Sequence, residues 1–265
     1  MERLRSDDAE ISYEIRGDGP PVVLLHPFPC DHEFWHPVAA LLDSGYRLIL
    51  PDLRGHGDSE IGEGPALMQR HAADIDRVLD AAGVGKAAFV GCSIGGYVLF
   101  EFWRRFRARV SSLVFCDTRP QADTAEARAN RLQAAATILE QGTEAFIETM
   151  VPKLMGRTTV ATRPDLLDGA RAMMRKMSAD DISLVQRGMA ERPDSVADLK
   201  TINVPTLIVI GEEDVLSTVA DGELMRQNIA GSQLKVIPKA GHYSPWEQPQ
   251  AVGEILRQFL DAVIA

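Results

Sequence analysis

Apolar residues fall into short, nearly unbroken runs along this chain. Val22-Val23-Leu24-Leu25 is stopped by Pro27 and Pro29, and Tyr46-Arg47-Leu48-Ile49-Leu50 by Pro51. Ala87-Ala88-Phe89-Val90 runs into Gly91, and Val110 to Cys116 forms a fourth run. Pro205-Thr206-Leu207-Ile208-Val209-Ile210 ends at Gly211, and Leu234-Lys235-Val236-Ile237 ends at Pro238. Such runs fit strands of a parallel sheet, which helices cover on both faces. Ile11-Ser12-Tyr13-Glu14-Ile15 alternates instead and precedes the turn Gly17-Asp18-Gly19-Pro20, which predicts part of an antiparallel edge. Between the runs, apolar positions recur at helical spacing over 66–82, 94–107 and 252–263. Strand–helix alternation predicts an α/β fold with a mainly parallel sheet. From 118 to 195 that rhythm breaks. This stretch is rich in Ala, Arg, Met and Glu and predicts helices near 123–140, 143–154, 164–177 and 179–190. The expected organisation is a core over 1–117, a helical insertion over 118–195, and the rest of the core over 196–265.

Composition narrows the functional classes. The chain has 265 residues, 45% apolar and 25% charged, enough for a large core without metal or disulfide staples. Its 28 Lys and Arg against 38 Asp and Glu leave a formal charge of −10, which argues against a nucleic-acid partner. Cys30, Cys92 and Cys116 are widely spaced with no CxxC, as suits a reducing compartment. The N-terminus lacks the apolar stretch of a signal peptide, and no apolar run is long enough to span a bilayer. A cytoplasmic protein without membrane partners is expected, and a homo-oligomer is compatible with the sequence.

Gly91-Cys92-Ser93-Ile94-Gly95 matches G-x-S-x-G directly after a predicted strand and before a predicted helix. Small residues beside the serine allow a sharp strand-to-helix turn that lifts its hydroxyl above the sheet. A serine needs a base, and His242 in Ala240-Gly241-His242-Tyr243 follows a strand and precedes the last helix. The base needs an orienting carboxylate. Asp214 in Gly211-Glu212-Glu213-Asp214 is favoured, with Asp117 at the end of the Val110–Cys116 strand as the alternative acid. Glu212 and Glu213 read as solvated loop charges. An oxyanion requires N–H donors: Ile94 after the serine, and Phe28, since Pro27 and Pro29 have none to offer.

In order, His26-Pro27-Phe28-Pro29, Asp52-Leu53-Arg54-Gly55-His56-Gly57-Asp58-Ser59, Gly91 to Gly96, Gly211 to Asp214 and Gly241-His242 resemble the α/β-hydrolase superfamily over essentially the whole chain. Within it the chain is similar to small capped serine hydrolases: carboxylesterases, 3-oxoadipate enol-lactonases and cofactor-free perhydrolase-like esterases. The resemblance implies an α/β-hydrolase fold whose insertion is a cap, and hydrolysis of a small ester or lactone without cofactor or metal. The usual His-Gly-x-Pro is altered, with Pro27 at the Gly position, which bears on the loop's shape and on whether an X-Pro bond is cis. Rival readings are an enol-lactonase with a cationic anchor, a perhydrolase, and a ligand receptor on a hydrolase scaffold. Ser93 sets the chain apart from relatives with an Asp nucleophile, and His56 reads as structural.

Two further patterns stand outside this scheme. His32-Glu33-Phe34-Trp35-His36 matches H-E-x-x-H, a zinc signature when both histidines share a helical face. Pro37 argues against a helix through that turn and reads as the start of a helix near 37, with no third ligand evident close by. Six of the nine Met lie in the insertion (Met150, Met155, Met173, Met174, Met177 and Met189), open equally to a pocket lining or to helix packing.

Overall fold

The computed structural model describes residues 1–264, so Ala265, the last residue of the expected second core segment, lies outside the described residues. The strands are β1 (Glu2–Ser6), β2 (Ala9–Arg16), β3 (Pro21–Leu25), β4 (Arg47–Pro51), β5 (Ala87–Cys92), β6 (Val110–Cys116), β7 (Thr206–Gly211) and β8 (Gln233–Ile237). They form one sheet in the order β1-β2-β4-β3-β5-β6-β7-β8. β2 pairs antiparallel with β1 and β4, and every other pairing is parallel. From β3 the chain goes to β4 on one side and then crosses to β5 on the other. This reversal sets Leu25 beside Gly91 at the carboxyl ends of adjacent strands, the place where open α/β sheets hold ligands.

The apolar runs are explained by cover on both faces. Val23, Leu25, Ile49 and Phe89 pack into one core with α2 (Met68–Ala81) and α3 (Ile94–Phe106). Val22, Leu24, Leu48 and Val90 pack into the other with α1 (His36–Leu42) and the terminal helix, Pro249–Ile264. Between β6 and β7 lie α4 (Ala125–Gln141), α5 (Glu144–Leu154), α6 (Arg157–Thr162), α7 (Pro164–Met174) and α8 (Ala179–Ala190). Among the described residues, no strand interrupts 118–195. Then α9 (Val219–Asn228) connects β7 to β8, and α10 (Ser244–Glu247) precedes α11, the terminal helix. None of the helices of the described residues is long and apolar enough to cross a membrane.

The alternating segment at Ile11 is part of the antiparallel edge of the sheet, as expected, with β1 outside it. β1 carries a polar, largely exposed face with Arg3 bonded to Glu10, so no apolar pattern announces it. The short helix α6 and the polar helix α9 also lack a strong apolar period.

The loop after β4 is tied down by a buried ion pair. Asp74 on α2 accepts from Arg54 Nε at 2.9 Å, Arg54 Nη2 at 2.7 Å and Ser6 Oγ at 2.6 Å. Both ends of the pair are almost fully buried. Removing Asp74 leaves the buried Arg54 with Asp8, 2.6 Å from Nη1 and partly exposed, as its charge partner, and leaves Nε without its acceptor. Asp74→Ala should therefore lower unfolding free energy by about 2–4 kcal/mol, measured by urea denaturation. A change under about 1 kcal/mol would show that the pair does not anchor this loop.

Candidate active site

The junction of β5 and α3 begins with a backbone constraint. Ser93 sits at φ 52°, ψ −113°, outside the regions that non-glycine residues ordinarily occupy. Ser93 N–H donates to Cys116 O at 3.0 Å, and Thr118 Oγ1 donates to Ser93 O at 2.8 Å. The turn closes because Gly91 and Gly95, on either side of it, lack side chains. A Cβ on Gly95 would lie 2.5 Å from Leu25 O, against the backbone of β3.

The hydroxyl raised by this turn meets the histidine. His242 Nε2 lies 2.7 Å from Ser93 Oγ, and Nδ1 lies 2.8 Å from Asp214 Oδ2. A carboxylate accepts only, so Nδ1 carries the proton and Nε2 is left to accept from Ser93 Oγ–H. Leu216 and Ser217 N–H donate to the other Asp214 oxygen at 2.7 and 3.0 Å, which holds the carboxylate in place. Asp117 goes elsewhere. It accepts from Gly211 N–H at 2.8 Å, Ser244 N–H at 3.0 Å and Ser244 Oγ at 2.7 Å, which joins β6 to β7 and to the segment after His242. Burial, and then the Asp214 charge, push its carboxyl well above the usual range. Glu213 is not a free loop charge: it accepts from Thr158 N–H at 2.8 Å and Thr158 Oγ1 at 2.7 Å.

Phe28 is set by its surroundings. Leu53 N–H donates to His26 Nε2 at 2.9 Å, so His26 Nδ1–H is left to donate to Pro27 O at 2.9 Å. Burial pulls the His26 pKa down to about 4, which keeps the ring neutral. Tyr243 Oη donates to Phe28 O at 2.9 Å, and the Phe28–Pro29 peptide is cis. Ile94 opens α3, where the first N–H groups have no intrahelical acceptor. His56 is buried, with Nδ1 near Leu53 O and Arg54 O of its own loop. The buried Cys92 thiol has its pKa pushed up by burial.

A cavity of about 460 Å³ opens on Ser93 and His242. Phe28, Phe146, Leu154 and Leu216 give it an apolar wall, and Arg119, Arg131 and Lys153 add cations. The Met residues of the insertion divide between roles. Met150 and Met189 line the cavity, while Met155, Met173, Met174 and Met177 pack in the core. Asp123 on the cavity wall takes Arg131 Nε at 2.7 Å, Arg192 Nη1 at 2.8 Å and Arg119 Nη2 at 3.4 Å. Burial raises its pKa, but Arg131 and Arg192 outweigh that and hold it below the usual range.

The family model for the alpha/beta hydrolase fold matches residues 20–249. The chain belongs to the α/β-hydrolase family. A 3-oxoadipate enol-lactonase of Acinetobacter baylyi is 30% identical over 96% of this chain and 94% of its own length. Among solved structures, a thermophilic esterase from Thermogutta terrifontis superposes with a TM-score of 0.96, at 36% identity over 99% of both chains. The enol-lactonase from Burkholderia xenovorans superposes with a TM-score of 0.91, at 25% identity over 98% of this chain and 100% of that one.

The sequence marks no role for Thr118, Tyr243 or the Asp123–Arg131–Arg192 cluster. Thr118 and Tyr243 directly follow residues already singled out, which is the only signal they carry. The cluster joins residues far apart in the chain, and no local pattern marks it.

Proposed function

We propose that this protein is a serine hydrolase that cleaves a small carboxylic ester or lactone through an acyl-enzyme on Ser93. The observation that carries the reading is the continuous hydrogen-bonded chain Asp214–His242–Ser93, whose Ser93 and His242 line the cavity. Similarity to an esterase and to enol-lactonases supports the reaction class.

In this reading Ser93 Oγ attacks the carbonyl carbon while its proton passes to His242 Nε2. Asp214 keeps the imidazole in the required tautomer and stabilises the cation that forms. Phe28 and Ile94 N–H receive the oxyanion, and their fixed positions avoid reorganisation in the transition state. His242 then gives the proton to the departing alkoxide. Water, deprotonated by the same nitrogen, attacks the acyl carbon and releases the acid and Ser93. Residues 118–195 act as the cap that shapes the substrate space, and 1–117 with 196–265 form the catalytic core. The three thiols are all unpaired, in keeping with a cytoplasmic setting.

Hydrolysis of short p-nitrophenyl esters tests the assignment. Ser93→Ala should lower kcat by at least about 10⁴-fold. Asp214→Asn should lower it about 10²- to 10⁴-fold. Asp117→Asn should stay within about tenfold, because its partners are Gly211 and Ser244 rather than the imidazole. Full turnover by the Ser93 variant, or a larger loss at Asp117 than at Asp214, contradicts it.

A lactone carrying a carboxylate is a second reading, favoured by the cations on the cavity wall. Arg119, Arg131 and Lys153 face the cavity with Asp123 as the carboxylate on that wall. A charged hydrogen bond is worth about 1.5–3 kcal/mol. Arg131→Gln should therefore raise KM for an enol-lactone carboxylate about 10- to 100-fold and leave KM for a neutral ester unchanged. Equal changes for both substrates would remove the anchor.

A further inference from the structure

We propose that Glu14, His32 and His36 form a binding site for one divalent cation of the zinc class, separate from Ser93 and its partners. One ligand atom from each residue can be chosen so that all three lie within 4.8 Å of one another. His36 Nε2–H donates to Glu14 Oε2 at 2.7 Å, so zinc takes this nitrogen by displacing its proton, with the neutral ring then protonated at Nδ1; Glu14 Oε2 lies 3.9 Å from His32 Nε2. Ligands on tetrahedral zinc lie about 3.3 Å apart, so these separations bracket the required spacing and small side-chain rotations reach it.

The ring orientation of His32 favours the site. Its Nδ1 lies 2.8 Å from Asp52 Oδ1, which can only accept. The Nδ1–H therefore points to Asp52, and in the neutral ring the Nε2 lone pair is turned toward Glu14. A carboxylate behind a ligating histidine is the usual outer partner of a metal site, fixing the ring and strengthening the donor. Asp52 is itself fixed. It is fully buried and accepts from His32 N–H at 2.8 Å and Asp58 N–H at 2.9 Å. With both rings neutral, Glu14 and Asp52 supply two negative charges to balance a dication. Arg16 Nε lies 3.7 Å from Glu14 Oε1, the opposite oxygen, and leaves Oε2 to the cation.

Two imidazoles and one carboxylate suit zinc, nickel or cobalt and disfavour magnesium and calcium, which prefer all-oxygen sites. The three residues are partly exposed, which gives a fourth position to water. The site differs from a metalloprotease centre. His32 begins a 3-10 turn (His32–Trp35) and His36 begins α1, so the pair straddles a helix junction and Pro37 does not obstruct it. Glu33, which would be the general base of such a centre, is held by Lys176. The third ligand comes from β2, remote in sequence. The bound ion would cross-link β2 to the start of α1 without entering the hydrolytic reaction.

Zinc titration calorimetry on chelator-stripped protein tests the site. Wild type should bind one zinc per chain with micromolar or tighter affinity and show no comparable magnesium heat. His36→Ala and Glu14→Gln should each bind at least about tenfold more weakly. Both side chains are partly exposed, and circular dichroism checks that the variants fold. Ester hydrolysis should match wild type in both. Cobalt-loaded wild type should show tetrahedral d–d bands without a thiolate charge-transfer band, a readout independent of any variant. No saturable zinc binding, equal affinity in both folded variants, or a thiolate band would each overturn the proposal.

Discussion

A serine held at φ 52°, ψ −113° costs about 1–3 kcal/mol and persists only where its surroundings over-determine it. Here those surroundings are specific. Cys116 O takes the Ser93 N–H, Thr118 takes its carbonyl, and Gly95 lets α3 sit against the backbone of β3. The geometry of the site follows from this turn. Straightening it would lower Oγ away from His242 Nε2 and move the Ile94 N–H that opens α3. The strain is carried by the sheet: β3, β5 and β6 converge on one residue, and their register fixes it.

Two buried aspartates lie close to that turn and divide the work. Asp214 has one oxygen tied to two backbone N–H groups and presents the other to His242. Asp117, at φ 45° on the end of β6, spends its oxygens on Gly211 and Ser244. It therefore aligns the strand end before Asp214 with the segment that carries His242. Sequence order favours Asp214 and leaves Asp117 as the alternative; hydrogen-bond partners separate them.

The parallel sheet was legible because cover on both faces leaves few polar positions in its strands. The turn at Ser93 was legible because its steric demand is written in adjacent glycines. The bonding of Glu213 to Thr158 was not, since it depends on where α6 lies against the loop after β7. β1 escaped because an exposed edge strand needs no apolar residues on its outer face. The cluster at Glu14 was hidden for the same reason as the arginines around Asp123. Its members meet only when the sheet closes, and His32-Glu33-Phe34-Trp35-His36 shows two of three ligands while the third waits on β2.

If Ser93 alone is the activated nucleophile, a fluorophosphonate reacts covalently with it and can be located by mass spectrometry. One adduct per chain is expected, on the peptide containing Ser93, lost in His242→Ala. No adduct on native protein, or an adduct at another residue with Ser93 unmodified, would contradict it.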